Sequence, residues 1–190
     1  MTTLAPTLSA HYFPRTSTWL RDLLLILLGS LFVAMLAQVE IPLPFTPVPI
    51  TGQTFGVLLV GAALGSKRGA VSLALYLAAG AIGLPFFAGG AHGLSIVIGA
   101  TGGYLVGFII AACIIGLFAE RGLERTMRTS IIPFLVGTVI IYACGVTWLA
   151  VVLGSFSKAI TLGLIPFLIG DVIKLLAAAL VLPAAWKIVK

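Results

Sequence analysis

Long stretches without charged residues constrain the fold of this chain more than any other feature. Of its 190 residues, 61% are hydrophobic and only 8% are charged, and the mean hydropathy is +1.23. A soluble globular domain carries about 25% charged residues, so this chain has too few to cover its surface in water. The composition argues against a soluble enzyme, a nucleic-acid-binding protein and a disordered regulator. It predicts an integral membrane protein.

Six apolar stretches are separated by short loops. A membrane-spanning helix needs about 20 apolar residues, so the chain has no room for a separate soluble domain. We predict an all-α fold, a compact bundle of six transmembrane helices at residues 20–190, preceded by a cytoplasmic tail at residues 1–19. The second and third stretches are short, and we expect tilted, kinked or partly re-entrant helices there. The stretches lie at residues 20–38, 53–65, 69–84, 94–118, 131–153 and 160–186.

The basic residues predict how the bundle is oriented in the membrane. Loops on one side carry nearly all of them, and the opposite loops contain only Lys158. Because Lys and Arg are enriched in cytoplasmic loops, both termini are predicted to be cytoplasmic. The run Leu23–Val39 is longer than the apolar core of a signal peptide and has no small-x-small cleavage site, so we expect a retained helix. The residues assigned to the cytoplasmic side are Arg15, Arg21, Lys67, Arg68, Arg121, Arg125, Arg128, Lys187 and Lys190.

Residues 41–50, with the sequence IPLPFTPVPI, cannot form a helix. Their four prolines lack amide hydrogens and push the preceding residues into extended conformations. Non-helical backbone at membrane depth is tolerated only against protein or a wet cavity. We therefore expect this proline segment to cover a site on the outer side, with Thr51 and Gln53 as candidate binding residues.

Asp171 and Lys174 lie inside the sixth apolar stretch, three positions apart. On a helix this spacing places both side chains on one face. A charge in the bilayer costs at least about 2.5–3.5 kcal/mol on insertion scales, so such residues usually face a cavity and serve function. The predicted orientation places Asp171 toward the outer side, which favours a pocket open to the outside. A structural pair that neutralises itself is the alternative.

The loop at residues 83–93, GLPFFAGGAHG, supplies further candidates on the same side. Its glycines allow a folded lid, and Phe86 and Phe87 offer apolar faces to a ligand. For each aromatic side chain, packing in the core or against lipid is the alternative. The other aromatic candidates are Tyr104, Tyr142 and Trp148.

Small residues at four-residue spacing allow close helix packing in a membrane. Ordinary packing within the chain explains two such stripes, one at Gly61 and Gly65 and one at residues 99, 103 and 107. A stripe that docks a partner subunit is the alternative, and Ser30 and Ala34 are the candidates for it.

No motif in the sequence predicts an enzyme. The phosphate loop of ATPases, HExxH, CxxC and the dinucleotide fingerprint are absent. His11 and His92 are too far apart in the chain to suggest a metal site, and Cys113 and Cys144 cannot form a disulfide framework. A membrane-embedded enzyme would need acids or histidines on several helices, whereas Asp171 is the only acid in the interior of a predicted span, Asp22 lying at the start of the first. A scaffold protein would leave the Asp171–Lys174 pair and the proline segment unexplained.

Four motifs of this chain occur together in a known family. They are residues 42–53 (PLPFTPVPITGQ), Gly83-Leu-Pro85 with Ala88-Gly-Gly90, residues 101–108 (TGGYLVGF), and Pro166-Phe167 with Gly170-Asp171-x-x-Lys174. Together they resemble the BioY family of biotin-uptake proteins, from about residue 20 onward. Ala100 departs from the pattern, in which proline often precedes Thr-Gly-Gly.

The resemblance implies a substrate-binding (S) component of an energy-coupling-factor (ECF) transporter. Such proteins have six helices and an outward pocket, and they capture a vitamin at the cytoplasmic membrane of a prokaryote. They work with a transmembrane coupling subunit and two ATPase subunits. Those partners use the ATP, so no cofactor is expected on this chain. An S component for thiamine or riboflavin and a solo biotin transporter are the alternatives.

The resemblance also implies the roles of the substrate-binding residues. Asp171 is expected to accept the ureido N–H groups of biotin, and Lys174 to donate to the ureido oxygen or to balance the carboxylate. Tyr104 and Gln53 would add hydrogen bonds, and the two phenylalanines would cover the sulfur ring. The outer loops contain no arginine for the carboxylate, which leaves His92, Lys158, loop amides or solvent. The predicted set is Thr51, Gln53, Phe86, Phe87, Gly89, Gly90, His92, Tyr104, Asp171 and Lys174.

Overall fold

Helices make up most of the chain in the computed structural model, which describes residues 3–12 and 17–187. Short 3₁₀ turns lie at Ala88–Gly90, Leu123–Arg125 and Ile165–Phe167. Two short strands, β1 (Glu40–Ile41) and β2 (Ile50–Thr51), pair antiparallel. The helices of the described residues are α1 (Leu4–Tyr12), α2 (Thr18–Ala37), α3 (Gln53–Leu64), α4 (Ser66–Ala81), α5 (Leu94–Ile98), α6 (Gly102–Ala119), α7 (Met127–Leu153), α8 (Phe156–Gly163) and α9 (Leu168–Trp186).

Four helical segments of the described residues are long and apolar enough to cross a membrane. They are α2, α6, α7 and the combined segment Phe156–Trp186. With 12 and 16 residues, α3 and α4 are shorter than the roughly 20 residues of a full span. The predicted all-α, multi-pass membrane fold is confirmed, and the number of six spans stays a prediction.

Two predicted spans are interrupted, and each interruption has a local cause. The stretch at 94–118 divides into α5 and α6 because Gly99 has an extended backbone with φ −81° and ψ −165°. Its carbonyl oxygen accepts a hydrogen bond of 2.8 Å from Nε1 of Trp148 on α7. The stretch at 160–186 divides into α8 and α9 at the turn containing Pro166, which has no amide hydrogen to continue a helix.

Helix α6 packs against α3, α4 and α7 through backbone-to-backbone approaches at glycine. A Cβ atom at Gly61 would lie 2.9 Å from the Cα atom of Ala112, and one at Gly103 would lie 2.6 Å from the carbonyl oxygen of Cys144. Neither glycine can carry a side chain without displacing its neighbour. These stripes therefore pack helices within the chain.

The predicted docking stripe on α2 is not exposed. Ser30 is 1% exposed and Ala34 is 7% exposed, because this face of α2 packs against α3 and α4. The neighbouring Gly29 lies so close to α4 that a Cβ atom there would be 2.7 Å from Oγ of Ser72. The structure contradicts the prediction that Ser30 and Ala34 form a surface for a partner subunit. Their small size serves packing inside the bundle instead.

The predicted N-terminal tail contains a helix. Helix α1 packs against α2 and α3, and its first residue, Leu4, is buried. The boundary between a tail at 1–19 and a domain at 20–190 stays a prediction. Arg15 and Lys190, assigned above to the cytoplasmic side, lie outside the described residues, as does the side chain of His11.

The close contact of α6 with α7 predicts that one methyl group added at Gly103 destabilises the fold. The change Gly103→Ala should lower the free energy of unfolding by about 1–3 kcal/mol, the usual cost of overpacking. Thermal unfolding of the detergent-purified chain would measure this. Gly170→Ala on α9 is the matched control, because a Cβ atom there meets nothing within 4 Å. An equal midpoint temperature for Gly103→Ala and Gly170→Ala would contradict the packing described here.

Candidate ligand-binding cavity

A cavity of about 300 Å³ lies between α3, α6, α7 and α9. The proline segment covers one side of it, through Pro47, Val48 and Pro49, and the loop after α4 covers another. The pairing of β1 with β2 closes the base of the proline segment. Polar side chains converge on a largely apolar wall. They are Glu40, Thr51, Gln53, Thr54, Ser95, Thr101, Tyr104, Tyr142, Asp171 and Lys174.

Asp171 and Lys174 form an ion pair in the cavity wall, with Asp171 buried and Lys174 partly exposed. Oδ1 of Asp171 accepts a hydrogen bond of 2.7 Å from Nζ of Lys174 and one of 3.1 Å from Oγ1 of Thr54. Oδ2 of the same carboxylate accepts a hydrogen bond of 2.5 Å from the hydroxyl of Tyr142. Lys174 also donates to Oγ1 of Thr54 over 3.0 Å. Asp171 is 7% exposed, and both oxygens of its carboxylate already accept hydrogen bonds from side chains.

The local sequence explains why this pair stands at the cavity. The turn at Ile165–Phe167 ends before α9 begins at Leu168, so Asp171 falls in the first turn of the helix. The positive end of the helix dipole favours a carboxylate there. Lys174 follows one turn later on the same face, as the spacing predicts. The prediction that the two side chains share one helix face is confirmed. Their charges neutralise each other, and both residues line the cavity wall.

The structure adds Thr54 and Tyr142 to this cluster. From the sequence alone Tyr142 is only one of several aromatic candidates, and Thr54 is not among the predicted residues. Both are hydrogen-bonding side chains inside apolar stretches. That signal could have found them, since a buried hydroxyl in a membrane helix needs a partner.

Thr51 and Gln53 line the cavity, as predicted, but their polar groups already have partners. Oε1 of Gln53 accepts a hydrogen bond of 2.8 Å from Oγ1 of Thr51. Nε2 of Gln53 donates to the hydroxyl of Tyr76 on α4. This chain of contacts connects the proline segment to α3 and α4.

Tyr104 presents its ring to the cavity while its hydroxyl serves the fold. The hydroxyl donates to the carbonyl oxygen of Gly163 over 2.7 Å and so connects α6 to the end of α8. Oγ1 of Thr46, in the proline segment, donates to the neighbouring carbonyl oxygen of Leu162 over 2.7 Å. In this structure the Tyr104 hydroxyl is therefore a helix-end cap, and its ring is the part available to a ligand.

The loop at residues 83–93 contributes less of the lining than the sequence predicts. Phe87 is 2% exposed and lines the cavity together with Ala88 and Ala91. Phe86 stacks on Tyr76 with 6.3 Å between ring centroids and is not part of the lining. The other predicted loop residues outside the lining are Gly89, Gly90 and His92.

Gly89, Gly90 and His92 contribute to the conformation of the loop and are not part of the cavity wall. Gly89 and Gly90 adopt φ values of +61° and +78°, in the left-handed region that favours glycine. Nδ1 of His92 lies 3.3 Å from the carbonyl oxygen of Gly90, on the exposed side of the loop. Nε2 of Gln38, at the end of α2, lies 3.3 Å from the carbonyl oxygens of Pro85 and Phe87 and donates to both. Gln38 thus holds the loop over the cavity.

The cluster around Asp171 suits a neutral ligand that has adjacent hydrogen-bond donors and an acceptor. A carboxylate accepts N–H groups strongly in a site that excludes water, and an ammonium group donates to a carbonyl oxygen in the same way. No group of three or more His, Cys, Asp or Glu side chains that could hold a metal occurs among residues 3–12 and 17–187. The prediction that this chain binds neither metal nor cofactor is untested.

Comparison with known proteins gives a consistent set of relatives. The chain is 42% identical over 169 residues to a biotin transporter BioY of Rhizobium etli, covering 84% of this chain and 90% of the relative. It is 43% identical over 141 residues to a biotin transporter BioY of Thermotoga maritima, covering 74% and 82%. A crystal structure of the S-component for biotin from an ECF-type ABC transporter matches with a TM-score of 0.77 and 26% identity, covering 90% of this chain and 95% of that one.

The family model named BioY family matches residues 6–190, nearly the whole chain, including the proline segment, the loop after α4 and the Asp171–Lys174 pair. On this match and on relatives above 40% identity, the chain belongs to the BioY family.

Proposed function

We propose that this chain binds biotin in the cavity described above and takes it up as the substrate-binding S component of an ECF-type transporter. The observation that carries the proposal is the Asp171–Lys174 pair in the cavity wall, hydrogen-bonded to Thr54 and Tyr142. The curated relatives are biotin transporters, and the matching crystal structure is an S-component for biotin. A transport subunit of this kind is not an enzyme.

The chemistry of biotin suits this cluster. Its ureido ring offers two N–H donors and one carbonyl acceptor, its thiophane ring is apolar, and its valerate chain ends in a carboxylate. Asp171 accepts one ureido N–H group in exchange for the hydrogen bond of Thr54 or Tyr142, and Lys174 donates to the adjacent ureido oxygen. Phe87 and the ring of Tyr104 cover the apolar part. The cavity volume of about 300 Å³ lies at the lower end of the range for small-molecule sites.

Thr51 and Gln53 support the proline segment from within the cavity, and either can turn toward the ligand. Gly89, Gly90, His92 and Phe86 act on binding through the loop, since they do not line the cavity. The direct contacts with the ligand thus come from the helices and from Phe87, and the rest of the loop closes the cavity.

The charges support an outward-facing cavity in the cytoplasmic membrane of a prokaryote. Helix α3 runs from Gln53, at the cavity, to Leu64, close to Lys67 and Arg68. Helix α6 runs from the cavity toward Arg121. The cavity thus lies at the helix ends opposite the basic loops, which belong on the cytoplasmic side.

Calorimetry on the detergent-purified chain, freed of prebound vitamin, tests the substrate. Biotin is expected to bind in the nanomolar range, desthiobiotin more weakly, and thiamine or riboflavin not at all. Binding of thiamine or riboflavin without binding of biotin would point to the alternative S component. Absence of binding to a folded sample would contradict the proposal.

Removal of one charge tests the site. The change Asp171→Asn should weaken biotin binding at least tenfold, about 1.4 kcal/mol, because it leaves Lys174 unpaired and replaces half of the acceptor by a donor. Asp22→Asn is the matched control, since Asp22 forms an ion pair with Arg68 at 2.8 Å and neither residue lines the cavity. Unchanged affinity in Asp171→Asn would remove this carboxylate from the site.

Uptake needs partners that this chain lacks. We propose a transmembrane coupling subunit and two ATPase subunits, because the sequence has no phosphate loop with which to hydrolyse ATP. Cells that express this chain with a coupling module should accumulate labelled biotin, and an ATPase-inactive module should abolish the gain. Equal accumulation by the chain alone would favour a solo transporter.

A further inference from the structure

The charges that line the cavity do not complement a carboxylate. Of the described residues in the wall, Glu40 and Asp171 are acids and Lys174 is a base, so the formal charges are two negative and one positive. The positive group, Nζ of Lys174, lies 2.7 Å from Asp171 and is already neutralised. A ligand anion in this cavity therefore meets an excess of negative charge.

The additional negative charge is that of Glu40, which lies at the covered side of the cavity. It belongs to β1, where it pairs with Thr51 of β2, so its backbone is fixed at the base of the proline segment. Its carboxylate lies against the loop after α4, because a Cβ atom at Gly89 would be 2.7 Å from Oε2 of Glu40. No ion pair of residues 3–12 and 17–187 includes Glu40.

The two cationic side chains that the sequence suggested as partners of the biotin carboxylate do not line the cavity. His92 is not part of the cavity lining. Lys158 belongs to the first turn of α8, is exposed and is also absent from the lining. With Asp171 and Lys174 assigned to the ureido ring, the charged side chain of the described wall that is left for the valerate end is Glu40. Among the described lining residues, no further positive side chain is available to the carboxylate.

We infer that the cavity recognises the ureido and thiophane rings of biotin and makes no charge-assisted contact with its carboxylate, so that biotin amides and esters are also ligands. The inference rests on the proposed function, since it takes the ureido ring to lie at Asp171. Like charges that face each other cost binding energy. Glu40 therefore weakens binding of the biotin anion relative to that of an uncharged derivative.

The test compares charged and uncharged ligands on two forms of the purified full chain. Biotin, biotinamide and biotin methyl ester are titrated into the unmodified protein and into Glu40→Gln. The amide and the ester should bind within about threefold of biotin to the unmodified protein. Glu40→Gln should tighten biotin binding about two- to fivefold, a typical effect of one screened charge, and leave the amide unchanged. The amide is the internal control for any change in shape.

Each contrary result overturns the inference in its own way. Loss of more than tenfold in affinity for both uncharged ligands would show that a cation binds the carboxylate. Equal tightening of biotin and biotinamide by Glu40→Gln would show that Glu40 acts through shape and not through charge. No effect of Glu40→Gln on any ligand would show that the charge of Glu40 does not act on binding. If biotin itself does not bind, the proposed function fails first and the inference with it.

Discussion

The ion pair of Asp171 with Lys174 is the interaction on which this structure depends, because two charges inside a membrane bundle are stable only with partners. Each charge would cost several kcal/mol if it were buried alone. Thr54 from α3 and Tyr142 from α7 complete the hydrogen bonds of the carboxylate on α9. The pair thereby joins three helices around one cavity. A ligand with matching donors and acceptors can replace hydrogen bonds within this cluster by hydrogen bonds of its own.

Interrupted backbone surrounds this cluster, and each interruption has its groups satisfied by side chains. Thr46 and Tyr104 cap the end of α8, Trp148 binds the carbonyl of Gly99, and Gln38 holds the loop after α4. Such backbone is stable at membrane depth because it lies against protein. The cavity is thus built from helix ends, whose polar groups would be costly in contact with lipid.

The parts of the fold that follow from periodic, local patterns were predictable. Composition predicts the membrane fold, the prolines predict the covering segment, and the spacing of Asp171 and Lys174 predicts their shared face. The parts that depend on contacts between distant segments were not. Nothing local to Ser30 and Ala34 says whether their small side chains face lipid or α4, and the partners of Thr54 and Tyr142 lie on other helices. The loop residues Gly89, Gly90 and His92 belong to the covering loop, but their direction depends on the fold around Gln38.

A high-resolution structure of this chain with biotin bound tests the central claim most directly. The account predicts a ureido nitrogen within hydrogen-bond distance of the Asp171 carboxylate, the ureido oxygen facing Lys174, and the valerate chain directed toward the proline segment and Glu40. A biotin carboxylate bound to Lys174, with the ureido ring at the covering loops, would contradict it. In that case the ion pair would be an anion site, and both the proposed recognition and the tolerance of uncharged derivatives would have to be abandoned.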